Sequence, residues 1–278
     1  MESFLNLFEK SFEITEGFSN DRKFKCINED GQAYLCRFFE IKDMAKASAH
    51  YELLRQFQGV DGFQQVLYIL KCNDQEHGVL VFDWVDGQPL SQIDLTFELG
   101  QQAGKIINQL HQIEVPYNKP KKGKTQFELI EQAYHQYIQS GGYFENLDTL
   151  NEMFNKTKDQ YKIERLVPLH GNLKAENFIL TPNNELVLIN FNHHEIGDIS
   201  LDLETLIFWE DEAFVNGVLS QVDLNDQILM NIKTLLYASP RRILCAAKSP
   251  ESVFIDKIVD KNRNIIQKLT RIQKISKL

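Results

Sequence analysis

The amino-acid sequence predicts an α+β protein with two lobes, a small strand-rich lobe followed by a large and mostly helical one. Short apolar and alternating runs dominate residues 1–85, and the turn-forming segment DGQPL at 86–90 then interrupts the chain. Long amphipathic stretches follow this turn, and two β-prone runs at 178–189 break the helical pattern. We therefore expect an N-terminal lobe at 1–85, a C-terminal lobe at 86–278, and a small ligand in the cleft between them.

The N-terminal lobe is predicted to contain five strands and one helix. The runs FEITEGF, RKFKCIN and QAYLCRFFE are three of the strands, and NEDGQ forms a tight turn between the second and third. Met44, Ala47, Tyr51 and Leu54 recur at helical spacing, and Gly59 provides a stop signal. The segment FQQVLYILKCNDQEHGVLVFDWV then predicts two more strands joined by a polar turn.

The C-terminal lobe is predicted to be helical around one hairpin. FELGQQAGKIINQLHQI predicts a long amphipathic helix. The residues of its apolar face are Leu99, Ala103, Ile106, Ile107 and Leu110. VFIDKIVDKNRNIIQKLTRIQKISKL predicts an amphipathic helix at the end of the chain. FIL and ELVLI, joined by the turn TPNN, predict the hairpin.

Composition excludes several classes of protein. The chain is 43% hydrophobic and 25% charged, as in ordinary globular proteins. A net charge of −9 argues against a nucleic-acid partner; it would suit a cationic one, although a solvated acidic surface is the simpler interpretation. MESFLNLFEK has no secretory-signal pattern, and no apolar run reaches the roughly 18 residues that span a bilayer. We expect a cytoplasmic protein without membrane contact.

Cysteine and histidine spacing predicts neither a disulfide framework nor a zinc site. The four cysteines are scattered without a C-x-x-C motif, so we expect reduced and mostly buried thiols: Cys26, Cys36, Cys72 and Cys245. His193 and His194 are adjacent and lack a second spaced pair, which disfavours metal binding. His111, at the end of a predicted helix, is expected to pack or to cap that helix.

Three motifs follow one another in the C-terminal lobe. HGNLKAEN at 170–177 precedes the hairpin, LINFN at 188–192 ends it, and IGDISLDLETL at 196–206 follows. HGNLKAEN resembles the H-G-D-x-x-x-x-N loop of the aminoglycoside phosphotransferase family, whose kinase-fold members include choline and homoserine kinases. LINFN resembles that family's I-D-F-D or I-D-F-N segment, and IGDISLDLETL resembles its G-D-P-x-x-D-L continuation. Order and spacing match, and the resemblance covers residues 10–210.

The resemblance implies a protein-kinase-like fold and roles for the residues of the loop and hairpin. Asn172 stands where the family has its catalytic aspartate, and Asn190 where it has a metal-binding aspartate. Asn177 matches the magnesium-binding asparagine, and His170 matches a packing histidine. Asp202 matches the buried aspartate that braces the catalytic loop.

The resemblance also implies a nucleotide site in the N-terminal lobe. Gly17 and Ser19 match the turn over the nucleotide phosphates, and Arg37 stands where most members have a phosphate-binding lysine. Glu52 matches the helix glutamate that pairs with that cation, and Asp198 matches the G-D aspartate. The implied cofactor is ATP or GTP.

Four further residues are candidates for the base and acceptor sites. Trp84, in the hinge-like segment FDWVDGQPL, is predicted either to stack on the base or to pack in the core. Glu210, Asp211 and Glu212 lie where the family often lines its acceptor pocket, although a solvated helix face is the interpretation we favour. Acceptor residues are expected at 115–160 and 205–250, and the basic loop KPKKGK at 119–124 is expected to be solvated.

Asparagines stand at both positions where the family has aspartates, and this weakens the chemistry that the resemblance implies. An amide cannot accept a proton near neutral pH, and general-base help contributes about 10²–10⁴-fold. Magnesium is usually held by one or two carboxylates, so Mg²⁺ binding is expected to be weak or absent. Arginine still grips phosphate, so a catalytically impaired kinase, or pseudokinase, that binds nucleotide is the leading hypothesis. The alternatives are an active O-phosphotransferase on a small alcohol, such as an antibiotic or metabolite, and a protein-interaction scaffold.

Overall fold

The computed structural model describes residues 1–15, 21–114, 135, 147–191 and 195–246. The chain divides into two compact units, one of Met1–Ile93 with Glu176–Asn190 and one of Asp94–Ala175 with Phe191–Leu278. Strands dominate the first unit and helices the second, so the α+β class predicted from the sequence is confirmed. The predicted C-terminal helix, the loop KPKKGK, Gly17, Ser19, His193 and His194 lie outside the described residues.

An antiparallel five-stranded sheet forms the first unit. Its strands are β1 Lys10–Ile14, β2 Arg22–Ile27, β3 Ala33–Glu40, β4 Val66–Lys71 and β5 His77–Asp83. Their order across the sheet is β1-β2-β3-β5-β4. The turn between β2 and β3 contains Gly31 with φ 79°, a conformation that glycine adopts without steric cost. Each of the five predicted segments thus overlaps a strand, although β1 begins at Lys10, two residues before the predicted segment FEITEGF.

Side chains alternate between the two faces of this sheet. One face packs into an apolar cluster whose members are Phe24, Cys26, Cys36, Phe38, Cys72, Val79 and Val81. The three cysteines in this cluster are free thiols and buried, as the sequence predicted. Directly paired residues share a face, so Lys23 and Arg37, which are Cα partners, stand together on the opposite face. We call this opposite face the cationic face.

The described residues of the first unit also form two α-helices, α1 Glu2–Leu5 and α2 Met44–Leu54. Ala47 and Leu54 of α2 are buried, in agreement with the predicted apolar face. A 3₁₀ turn, Arg55–Phe57, follows α2, and the chain then turns at Gly59 with φ 77°.

The predicted hairpin belongs to this first unit. It consists of β8 Phe178–Leu180 and β9 Leu186–Leu188, and β6 Gln88–Pro89 pairs with β8 as a third strand. The backbone of Leu188 accepts a hydrogen bond from Gln64 and donates one to Gly62, over 3.0 and 2.8 Å. These bonds attach the hairpin to the strand-rich residues, although it follows HGNLKAEN in the sequence.

Helices form most of the second unit. They are α3 Phe97–Gln112, α4 Leu147–Thr157, α5 Ser200–Trp209, α6 Glu212–Leu219 and α7 Asp226–Ala246. A short antiparallel pair, β7 Val167–Leu169 and β10 Glu195–Gly197, lies among them. Thr96 caps α3 by accepting a hydrogen bond from the Leu99 backbone N–H. The buried face of α3 includes Ala103, Ile106, Ile107 and Leu110, as predicted.

Two glycines allow α3 and α6 to pack with their backbones in contact. A Cβ atom at Gly100 would lie 2.1 Å from the carbonyl oxygen of Phe214, and one at Gly217 would lie 2.1 Å from that of Phe97. Any larger residue at either position must therefore push the helices apart. No helix among the described residues is long and apolar enough to cross a membrane.

Candidate active site

The loop of the HGNLKAEN motif begins where strand β7 ends. His170 is fully buried, and its ring packs edge-on against Phe191 with 4.9 Å between the ring centroids. Gly171 has φ 79°, and the Asn172 backbone N–H donates to His170 Nδ1 over 3.3 Å. The histidine is therefore packed inside the second unit, and the glycine permits the turn that follows it.

Asp202 fixes the first residues of this loop. Its carboxylate accepts hydrogen bonds from the backbone N–H groups of His170, over 2.8 Å, and Gly171, over 2.9 Å. His111 Nε2 lies 3.0 Å from Asp202 Oδ2, and both side chains are buried. Asp202 is thus placed as a brace for the loop.

His111 is a residue whose role the sequence did not indicate. We expected it to pack or to cap the end of α3, and it contacts the Asp202 carboxylate instead. Burial by itself raises the pKa of Asp202. The hydrogen bond and charge of His111 lower this pKa, as do the charge and backbone N–H of His170. Together these lowering effects outweigh burial, so the pKa of Asp202 lies below its usual value. The carboxylate therefore remains ionised inside the second unit.

Asp198 is bound within its own turn. Its Oδ1 accepts hydrogen bonds from the Ser200 backbone N–H over 3.0 Å, from the Ser200 hydroxyl, and from Asn231 Nδ2 over 3.4 Å. Asp198 is buried beside Tyr161, whose pKa is raised by burial and by the Asp198 charge. The carboxylate thus stabilises the start of α5.

Glu210 contacts the HGNLKAEN loop from the end of α5. Its Oε1 accepts a hydrogen bond from the Ala175 backbone N–H over 2.9 Å. The neighbouring Lys174 ammonium lies 4.6 Å from the centre of the Trp209 ring. Asp211 and Glu212 are exposed. Glu210 therefore holds the loop, whereas the other two carboxylates lie on a solvated surface.

The two asparagines at the predicted metal positions are bonded to each other. Asn190 Nδ2 donates a hydrogen bond to Asn177 Oδ1 over 3.0 Å. Asn177 is buried, and its backbone carbonyl accepts a hydrogen bond from the Ile189 N–H over 2.9 Å. Asn190 has φ 68°, a left-handed conformation that asparagine tolerates better than most residues. Both side chains thus occupy one polar cluster of the first unit.

This donor set does not fit a magnesium ion. Mg²⁺ prefers charged oxygen ligands in octahedral geometry, whereas Asn177 and Asn190 are neutral and one amide donates to the oxygen of the other. In the part of the chain that the structure describes, no three His, Cys, Asp or Glu side chains form a group that could hold a metal. The expectation of weak Mg²⁺ binding thus rests on the chemistry of these two amides.

Arg37 differs from the sequence expectation in its ionic partner. Its Nε and Nη2 lie 2.6 and 2.5 Å from Asp21 Oδ2. Glu52, the expected partner, is exposed on α2 and forms no ion pair within the described ranges. Asp21 directly precedes β2, whose residues pair with those of β3, and this register brings it to Arg37. Burial lowers the pKa of Arg37 and Asp21 opposes this shift, so the guanidinium stays charged.

Trp84 is half-buried and lies against a lysine. The Lys25 ammonium is 4.3 Å from the centre of the indole ring, and the indole N–H donates to Asp86 Oδ1 over 2.9 Å. The ring therefore has a polar environment on at least one side, unlike a residue packed wholly inside an apolar core.

A family model described as the phosphotransferase enzyme family matches residues 13–223, about three quarters of the chain. The chain belongs to the phosphotransferase enzyme family. The resemblance stated from the sequence motifs is therefore confirmed. No curated protein matches the chain.

Solved structures of phosphotransferases share the fold of this family member. The aminoglycoside phosphotransferase from Alicyclobacillus acidocaldarius aligns with a TM-score of 0.69 and 16% identity, covering 100% of this chain and 97% of the other. Spectinomycin phosphotransferase, solved with ADP and spectinomycin, aligns with a TM-score of 0.68 and 9% identity, covering 98% of each chain. A phosphotransferase solved with GDP and kanamycin aligns with a TM-score of 0.67 and 18% identity, covering 96% and 94%. The protein-kinase-like fold is thereby confirmed.

Proposed function

We propose that this phosphotransferase-family protein binds ATP or GTP through its strand-rich unit and transfers phosphate slowly or not at all. The observation that carries the proposal is the hydrogen bond from Asn190 Nδ2 to Asn177 Oδ1. It joins two neutral amides at the positions from which a metal ion would be held. A pseudokinase of this kind would bind or sequester a nucleotide, together with a small-molecule ligand.

Loss of charge weakens the chemistry in two places. Without a carboxylate at 190, little in the cluster attracts a divalent cation, and a transferring phosphoryl group depends on cations to offset its negative charge. Without a carboxylate at 172, the acceptor hydroxyl loses general-base help worth about 10²–10⁴-fold. The first loss is the more damaging, because positioning and charge stabilisation dominate phosphoryl transfer.

Retained nucleotide binding is supported by the state of Arg37. Two of its nitrogens face Asp21, while Nη1 is buried and has no hydrogen-bond partner among the described residues. A buried donor without a partner is costly, and a phosphate oxygen would satisfy it. The solved relatives with ADP and GDP are consistent with a nucleotide ligand.

Thermal-shift titration and a turnover assay test this proposal. We expect ATP or GTP to raise the melting temperature to a similar extent with and without Mg²⁺, and we expect little nucleotide hydrolysis. Rapid Mg²⁺-dependent turnover by the unmodified protein would contradict the impaired-enzyme proposal. The absence of any nucleotide response would contradict nucleotide binding and would favour an interaction scaffold.

One observation supports an active O-phosphotransferase as a second candidate. Asp202 still holds the backbone of His170 and Gly171, so the loop that would present position 172 to an acceptor hydroxyl is intact. The acceptor would be a small alcohol such as an amino sugar or a metabolite. Transfer of labelled phosphate to a panel of such alcohols, at rates well above the Asn172→Ala variant, would select this candidate.

A further inference from the structure

Two cations lie directly opposite each other on the cationic face of the sheet. Lys23 of β2 is the Cα partner of Arg37 of β3, and the same row continues through Ile14 on β1 and Leu80 on β5. Side chains of directly opposed residues stand on one face with Cβ atoms about 4.5–5.5 Å apart. The two cations are therefore neighbours, and the residues that flank them in the row are aliphatic.

The charges in this row are not balanced. Asp21 is the carboxylate bonded to Arg37, through Nε and Nη2. Lys23 is half-buried and forms neither a hydrogen bond nor an ion pair with any part of the chain that the structure describes. Burial lowers the pKa of Lys23, the nearby Arg37 charge lowers it further, and Asp21 opposes both effects. In the described part of this unit, one carboxylate thus stands beside two cations, and both cations have donors without partners there.

Lys25 provides a contrast on the same strand and the same face. Its ammonium lies 4.3 Å from the centre of the Trp84 ring and 3.9 Å from Asp86 Oδ1. Lys25 therefore has both an aromatic and an anionic partner within the protein. Among the described residues Lys23 has neither, although it is half-buried and is paired with another cation across the strands.

Like charges placed directly opposite each other destabilise a sheet, so the arrangement is unfavourable until an anion joins it. A phosphate offers oxygens that accept hydrogen bonds from an ammonium and a guanidinium at once. Asp21 already occupies one edge of the Arg37 guanidinium, so Arg37 alone presents a partly neutralised site. We propose that Lys23 is a second phosphate-binding cation, which acts together with Nη1 of Arg37 on the polyphosphate of the bound nucleotide.

This inference rests on the proposed nucleotide binding, and it assigns a phosphate contact to β2 in addition to β3. Binding of a polyphosphate should therefore depend on Lys23, whereas binding of a nucleoside should not. Losing Lys23 should weaken binding of ATP and of inorganic tripolyphosphate, but not binding of adenosine.

Isothermal titration without Mg²⁺ tests the role of Lys23. ATP, GTP, adenosine and tripolyphosphate are titrated into the unmodified protein and into Lys23→Gln, Lys23→Arg and Lys71→Gln. Lys71 is an exposed lysine at the end of β4, so Lys71→Gln controls for the change in net charge. We expect Lys23→Gln to lower the affinity for ATP and for tripolyphosphate by about tenfold or more, because charge-assisted hydrogen bonds are lost. Lys23→Arg should retain most of the affinity, and Lys71→Gln nearly all of it.

Melting temperatures separate a binding role from a structural one. Lys23→Gln removes a cation next to Arg37, so its melting temperature without ligand should equal or exceed that of the unmodified protein. If Lys23→Gln binds ATP as tightly as Lys71→Gln does, the inference is overturned while nucleotide binding stands. If tripolyphosphate binds in a Lys23-dependent way but neither ATP nor GTP binds, the nucleotide proposal fails and the anion site survives. If none of these ligands binds, both are overturned.

Discussion

The side-chain nitrogen of Asn190 donates a hydrogen bond to the side-chain oxygen of Asn177 over 3.0 Å. Two neutral amides are thereby joined where the family resemblance implies a magnesium site. An aspartate at 190 could not make this bond in the same direction, because a carboxylate only accepts hydrogen bonds. The amide pair thus links the residue before strand β8 to the hairpin end that follows strand β9.

Restoring both carboxylates should restore phosphate transfer. We expect the double variant Asn172→Asp and Asn190→Asp to hydrolyse ATP or GTP with Mg²⁺ at least about 10²-fold faster than the unmodified protein, since it regains a base and an anionic metal ligand. Initial rates of phosphate release provide the measurement. The matched control carries Asn183→Asp and Asn184→Asp in the exposed hairpin turn, which add the same two negative charges away from the cluster. Equal rates in the double variant and in this control would refute the explanation.

His111 should stabilise the fold through the Asp202 carboxylate. In His111→Ala a buried carboxylate loses its imidazole partner, which we expect to cost about 3 kcal/mol of the free energy of unfolding. Urea denaturation of the unmodified protein and the variant gives this difference. Gln109→Ala, at an exposed position of α3, serves as the control and should change stability little. A loss in His111→Ala no larger than in the control would show that the contact contributes nothing.

Asp202 should make stability depend on pH in the acid range. Its pKa in the folded protein lies below its usual value, which is about 3.9 in an unfolded chain. The contribution of Asp202 to the free energy of unfolding is therefore fully present above its pKa in the unfolded chain. It is lost as the pH falls through the lower pKa of the folded protein. Urea denaturation at a series of pH values below about 5 should show a shallower loss of stability in Asp202→Asn than in the unmodified protein. Parallel curves for the two proteins would contradict this assignment.

The glycines between α3 and α6 should not tolerate alanine. Gly100→Ala places a methyl group 2.1 Å from the Phe214 carbonyl oxygen, so the helices must separate. Overpacking of this kind costs about 1–3 kcal/mol and should exceed the roughly 1 kcal/mol that alanine gains over glycine in a helix. Thermal denaturation measures the net effect. Lys105→Ala, an exposed substitution in the same helix, is the control, and a Gly100→Ala variant at least as stable as Lys105→Ala would rule out close packing.

Local patterns predicted much of this fold. The alternation in β2 and β3, the apolar face of α3 and the turn-separated hairpin all reflect interactions between residues near in sequence or repeated at a fixed period. The family resemblance also drew attention to Asp202, whose carboxylate accepts hydrogen bonds from the backbone N–H groups of His170 and Gly171.

Contacts between distant residues escaped prediction. His111 and Asp202 are 91 positions apart, and no local pattern connects them. The pairing of Arg37 with Asp21 follows from the β2–β3 register, whereas the expected partner Glu52 lies on an exposed helix surface. The close approach at Gly100 depends on how two helices meet, which the sequence of either helix does not reveal.

Metal binding provides the most direct test of the central claim, that amides at 177 and 190 leave no anionic site for a divalent cation. Mn²⁺, a paramagnetic substitute for Mg²⁺, can be titrated into the unmodified protein and into Asn190→Asp at saturating nucleotide, and followed by electron paramagnetic resonance. We predict that the unmodified protein binds Mn²⁺ no more tightly than the free nucleotide does, and that Asn190→Asp adds one tighter site. Tight, stoichiometric Mn²⁺ binding by the unmodified protein–nucleotide complex would contradict the account.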